Sequence, residues 1–352
     1  MSERGQNARL RRARCAAAAE WRWIYRLGSL RLAMILLFTV AAACAVATVC
    51  ESRFNRQVAE AYIYKNPFFM LWLSLLCLNL ICSVLTRWPW KRKQLGFVVT
   101  HSGIITLLAG AVIGHFFGLE AWVNLEKDAP PVNMLTVSET ALMVRGFHSG
   151  EFYQAPLTMR ARRPTPRRPR VIPVPESDLR LQILAYRADL AGIQARLADA
   201  DGATGEAEWI AAGTSRLLRA GAAVVQVGFG PRQVPLPFSV ALDDFRVPRD
   251  EGTDQPANFI SELTFSEAGG VTRRERVEMN HPASFPGGWW RLATGLNYKF
   301  SQAGWDPTDL NRTTLQVLYD PGWLCKWLGS LLICGGITLM FYCRPRGTTK
   351  RS

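Results

Sequence analysis

The chain has 352 residues, with 42 Lys+Arg against 28 Asp+Glu for a formal charge of +14, and 49% hydrophobic side chains. The length accommodates one large domain or two ordinary ones, and a uniformly basic chain would point to nucleic acid. The charge is not uniform. Residues 119–322 carry 22 basic and 24 acidic side chains, whereas residues 1–27, 87–93 and 344–352 together hold fifteen basic and two acidic ones. Nearly all of the excess therefore flanks long apolar runs, which reads as membrane topology and excludes a nucleic-acid partner.

In chain order, the basic segment 1–27 precedes a first apolar run at 28–50. A loop at 51–65 leads to a second run at 66–86, and the basic loop 87–95 to a third at 96–118. Residues 119–322 form one long polar stretch, followed by a fourth run at 323–343 and a basic tail at 344–352. A bilayer core takes roughly 20 apolar residues in a helix, so four transmembrane helices are expected. The positive-inside rule then makes the three basic segments cytoplasmic and puts 51–65 and 119–322 on the outer side of the cytoplasmic (inner) membrane. Trp21, Trp23, Trp88, Trp90, Trp122, Trp323 and Trp327 sit at the expected boundaries, as an interfacial belt requires. The rival reading of the first run is a cleaved signal peptide or a lipidated Cys44. A signal h-region is only ~7 to 15 residues long, Ala41 stands where a lipidation site prefers Leu, and losing this helix would leave an odd number of spans.

Residues 119–322 are expected to be an all-β domain inserted between the third and fourth helices. Leu179–Tyr186 and Ser239–Phe245 alternate in part, Asn258–Phe265 and Val271–Met279 flank Ala268-Gly269-Gly270 as a hairpin, and Thr313–Tyr319 is a last strand. Six Arg and five Pro between Arg160 and Pro175 predict an extended insertion. All eight cysteines lie in or beside the apolar runs. The sequence has no Cys-x-x-Cys, no Cys-x-x-Cys-His, no phosphate-cradling glycine loop and no nucleophile elbow, so it offers no self-contained catalytic site.

Four histidines occur: His101, His115, His148 and His281. His101 falls inside the third run, where hydrocarbon satisfies neither ring nitrogen, and is a functional candidate on that ground. His115 lies fourteen residues on, about 21 Å up the axis, at the opposite edge of the membrane, so one metal does not take both. His148 and His281 are in the polar stretch, where the bland reading is an ordinary polar residue; His281 follows a strand end, where a ligand-binding side chain is readily displayed. Gly103, Gly110, Gly114 and Gly118 make a small-residue stripe suited to close helix packing. His101 is ~200° round the helix from Gly103, so stripe and histidine face opposite ways.

Several segments resemble the ResB family. They are Leu27-Gly-Ser-Leu-Arg-Leu-Ala33, Asn66-Pro-Phe-Phe69, Leu78-Asn-Leu-Ile-Cys82, Gly96-Phe-Val-Val-Thr-His-Ser-Gly103, Glu278-Met-Asn-His-Pro282, Leu315-Gln-Val-Leu-Tyr-Asp-Pro-Gly322 and Leu328-Gly-Ser-Leu-Leu332. The resemblance runs from about residue 25 to 343, fitting least well at 160–175 and from Pro286 to Phe300. It implies a membrane subunit of system II cytochrome c maturation that works with a ResC/CcsA-type partner, carrying haem outward for attachment to apocytochrome c. His101 matches that family's transmembrane histidine, which makes it the expected axial ligand to a transient haem b; His115 and His281 are secondary candidates. An intramembrane haem usually takes two protein ligands from facing helices. With His115 excluded by its position, a bis-His site at His101 takes its second histidine from another polypeptide. Two other functions are compatible with the same residues: a membrane-anchored scaffold whose β-domain binds a protein without haem, and a transporter subunit for another substrate. The transporter reading is weakened by the lack of intramembrane Asp or Glu and of paired broken helices.

Overall fold

The computed structural model describes residues 22–53, 59–64, 66–157, 164–187, 192–199, 202–267 and 269–342. The basic N-terminus up to Trp21, the tail 344–352 with Cys343, residues 160–163 of the Arg/Pro stretch and Ala268 of the expected hairpin turn lie outside the described residues. The chain divides into two compact units. One comprises residues up to Gly118, Gly287–Asn297 and Asp320 onward, and the other Leu119–Pro286 and Tyr298–Tyr319.

The first unit is helical: α1 (Leu30–Arg53), α2 (Pro67–Leu85), α3 (Leu95–Phe117), the short α4 (Trp289–Thr294) and α5 (Trp323–Tyr342). All but α4 are long and apolar enough to cross a membrane. Asn66 caps α2, its side-chain oxygen accepting from the Phe68 amide at 2.9 Å with Pro67 in the first helical position, a pairing that suits a helix start. Gly28 interrupts the helical path before α1, and the reason is a close approach: a Cβ there would stand 2.8 Å from the backbone of Cys82 and Ser83 in α2. The buried Asn79 closes the same junction, its Nδ2 donating to the carbonyls of Leu27 and Ser29. Carbonyls freed by a break in a transmembrane helix need such a donor, since hydrocarbon provides none.

The glycine stripe of α3 packs against α5, and in antiparallel register. A Cβ at Gly96 would lie 2.9 Å from the Gly336 carbonyl, at Gly103 2.8 Å from that of Gly329, and at Gly110 2.8 Å from that of Gly322. Two glycine series, each spaced by seven, thus oppose one another, and the backbones meet where side chains would hold them apart. At one end of this pair, Lys326 in the first turn of α5 is held by Asp320, 2.7 Å away.

The second unit is β-structure throughout. Eight strands run in the order β11 (Thr272–Glu278), β10 (Ile260–Glu267), β9 (Ala223–Arg246), β2 (Val132–Arg145), β1 (Leu119–Glu126), β14 (Asp309–Tyr319), β13 (Tyr298–Asp306), β12 (Ala283–Phe285), with β3 (Phe152–Pro156) on β2 and β8 (Thr214–Ala220) on β9. A separate antiparallel sheet orders β4 (Arg170–Pro173), β5 (Arg180–Arg187), β6 (Gly192–Ala198) and β7 (Glu208–Ala211). Two cores result. Phe238, Phe265, Phe285 and Phe300 centre the first, and Leu142, Ile183, Leu197 and Phe229 the second. The long strands β2 and β9 serve both, and their mutual register shifts between Thr136 and Thr140, beside Pro231. Proline lacks the ladder donor, so it falls at such a bulge. The all-β expectation for 119–322 needs one amendment: residues Gly287–Asn297 carry helix α4 and belong with the helical unit.

Candidate functional site

His101 lies in the middle of the first half of α3, with no break in the helix from Leu95 to Phe117. Its Nδ1 is 3.0 Å from the carbonyl oxygen of Phe97, one turn earlier. A carbonyl only accepts, so Nδ1 carries the proton and Nε2 keeps its lone pair. Nε2 has no hydrogen-bond partner among the described residues. This is the arrangement a metal-binding imidazole needs: one nitrogen tethered to a carbonyl to set tautomer and ring orientation, the other free to coordinate.

Two neighbours complete the surroundings. The Phe97 ring stacks on the imidazole, centroids 3.7 Å apart and planes at 30°. On Phe97 in turn sits the guanidinium of Arg87, 3.8 Å from the ring centroid, held by bonds of 2.9 Å from Nη1 to the Ser83 carbonyl and to Ser83 Oγ. A permanent cation, an aromatic plane and a free imidazole nitrogen therefore form one stack, built by the end of α2 and the start of α3. In the sequence Arg87 stands out only as topological charge, and Phe97 not at all. The signal was present in the four-residue spacing of Phe97 and His101, which places both on one helix face.

The other histidines are elsewhere. His115 is exposed near the far end of α3, its ring edge-on to Phe116 at 5.1 Å. Fourteen residues of continuous helix put it about 21 Å from His101 along the axis. His148 is exposed in the turn after β2, where the His148 and Ser149 amides donate to Glu176 at 3.1 and 2.8 Å. Tyr153 adds a 2.7 Å bond to the same carboxylate. These bonds, led by that from Ser149, pull the Glu176 pKa from the usual 4.5 to about 2.

His281 is exposed in a tight turn in which the Glu278 and His281 backbones exchange two 3.0 Å bonds around Asn280 at φ 64°. Its Nδ1 lies 3.3 Å from the Met279 carbonyl. The turn borders a cavity of about 450 Å³ lined by Phe259, Glu278, Met279, Lys299 and Trp305 among others, with His281 itself outside the lining. Among the described residues, no three His, Cys, Asp or Glu side chains converge as a metal site. Within this chain the structure thus brings His101 together with Phe97 and Arg87, and with no second histidine.

Among known proteins, the chain is similar to Protein NrfI of Wolinella succinogenes, 25% identical over 336 residues. That stretch covers 89% of this chain and 34% of NrfI, so the chain spans about a third of its relative's length. Among solved structures, it aligns with the cytochrome c haem lyase CcmF at 10% identity and a TM-score of 0.24, over 89% of this chain and 35% of that one; a likeness at that level carries no inference. Residues 91–289 match the profile of the ResB-like family. The match takes in α3 with His101 and the β unit as far as β12, more than half of the chain, and on that ground the chain belongs to the ResB-like family.

Proposed function

We propose that this chain is a haem-handling subunit of a cytochrome c maturation complex, and that His101 is an axial ligand to haem as it passes through the membrane. Family membership and the similarity to NrfI support the pathway. The observation that carries the ligand assignment is the tether of Nδ1 to the Phe97 carbonyl, which leaves Nε2 free inside a transmembrane helix. Haem here is cargo, a haem b held transiently. The stacked Arg87 guanidinium supplies the charge that a propionate at the same end of α3 requires. A six-coordinate iron needs a second donor, and the described residues of α3 bring no second histidine to His101, since His115 lies about 21 Å along the axis. A ResC/CcsA-type membrane partner provides it, and the site is shared.

Orientation follows from the charge. With the basic segments 1–27, 87–95 and 344–352 in the cytoplasm, residues 119–322 face the outer side of the inner membrane, where apocytochrome c is met. A reporter active only in the cytoplasm, fused after residue 220, should be silent, and activity there would overturn the orientation. The ligand assignment is tested by optical spectra and pyridine haemochrome assay of the chain purified alone and with its partner. Low-spin haem is expected in the complex and little in the single chain. A haem-free complex would instead favour the scaffold.

A further inference from the structure

Between β12 and β13 the chain leaves the β unit, and residues Gly287–Asn297 cluster with the helices. Gly287 and Gly288, each at φ 90°, lead into α4, and Gly295 at φ 77° ends it. Gly295 lies directly against the Asp320 carbonyl and the Trp323 side chain, with no room for a Cβ. That contact seats α4 on the first turn of α5. Thr294 points inward and is buried, while Trp289, Trp290 and Leu292 are 78%, 60% and 52% exposed, and Leu296 follows them. Large apolar side chains exposed together in this way mark a surface that is covered in the working molecule.

What covers it is indicated by the neighbours. Trp323 and Trp327, with rings 5.6 Å apart, are exposed at the same end of α5. Because α5 crosses the membrane, its first turn lies where hydrocarbon gives way to headgroups, the depth at which tryptophan is enriched. The only charge on α4 is Arg291, which suits anionic phosphates. A face of two tryptophans and two leucines is also far short of the ~20 to 30 residues per side of a standard protein interface.

We propose that α4 is an interfacial anchor, lying in the lipid headgroup region beside the start of α5 with Trp289, Trp290 and Leu292 in the acyl boundary and Arg291 toward the phosphates. The inference is independent of haem.

The test uses the full chain in vesicles of phosphatidylcholine with phosphatidylglycerol. Trp289→Phe, Trp290→Phe and the double variant are each subtracted from wild type, isolating the emission of two of the twelve tryptophans. Phenylalanine keeps the face apolar, and either single variant gives the same reading for one ring if the double variant does not reconstitute. The isolated emission should be blue-shifted, insensitive to acrylamide, and quenched about twofold or more by lipid brominated near the top of its chains, as befits a face about 5 to 10 Å into the boundary. Emission quenched by acrylamide and untouched by brominated lipid would overturn the anchor. So would shielding that appears only when a second membrane protein is co-reconstituted, because it would assign the face to that protein.

Discussion

The two units bury opposite things. In the helical unit the large apolar side chains face outward, Phe38 and Phe341 being 76% and 73% exposed, while glycines fill the α3–α5 contact. In the β unit Phe265 and Phe300 are fully buried and the exposed positions are largely polar. Water drives the second arrangement, because removing apolar area from it is favourable. Lipid offers no such gain to a helix, so association there depends on close backbone contact and on satisfied polar groups. A polar side chain inside the helical unit is therefore informative. Asn79 and Lys326 each have a partner within the chain that accounts for them. His101 is half satisfied, by Phe97 alone.

The largest effect expected from this contrast is at the glycine contact. Gly103→Leu or Gly329→Leu inserts a side chain where even a Cβ would stand under 3 Å from the opposing backbone, and should abolish α3–α5 pairing, with Gly103→Ala intermediate. Monodispersity and thermal stability in detergent report it; a leucine variant as stable as wild type would break the contrast. In the β unit the reverse change is the damaging one. Phe265→Ala should cost about 3 to 5 kcal/mol, read as a lowered unfolding midpoint with the protein still inserted in the membrane.

Asn79→Leu makes the helical unit more apolar and should nonetheless destabilise it, by about 1 to 3 kcal/mol, because the Leu27 and Ser29 carbonyls lose their donor. A stabilised variant would show that those carbonyls find another partner. The smallest effect is electrostatic. The Glu176 pKa falls from 4.5 in the unfolded chain to about 2 in the fold. Its contribution is thus fully present above pH 4.5 and lost as pH falls toward 2. Wild type should melt slightly above Glu176→Gln at pH 6, and the gap should close across that window; a gap that widens on acidification would contradict the carboxylate's role.

The four spans are legible in the sequence because hydrocarbon imposes length and composition together. The β10–β11 hairpin is legible for a similar reason, its alternation and glycines both being local; Gly270 does sit at φ 80° in the turn. Contacts between distant segments are not. The stripe read along α3 ran through Gly103, Gly110, Gly114 and Gly118, but the register with α5 also uses Gly96, and its partners Gly322, Gly329 and Gly336 lie some two hundred residues later. Only part of β9 was legible, at Ser239–Phe245, because Pro231, Pro235 and Pro237 look like strand breakers until β2 supplies the bulge that accommodates them. At the candidate site, His101 is picked out by its place inside the third apolar run and by the resemblance to the ResB family. Its tether to Phe97 is local to α3, but the seat of the Arg87 guanidinium on Phe97 depends on how α2 and α3 meet, and no local pattern states that.

His101 is the proposed axial ligand, and its proposed second partner is a histidine of another chain. The direct measurement is the haem-to-protein ratio, by pyridine haemochrome, of the wild-type complex, the chain alone, and complexes carrying His101→Ala or His115→Ala. His101→Ala should lose most of its haem while remaining in the membrane with its partner, and recover part of it in imidazole, which fills the vacated position. His115→Ala should stay near wild type, and the chain alone should hold little. Full occupancy in His101→Ala would contradict the ligand assignment, and a bis-histidine spectrum from the chain alone would contradict the shared site.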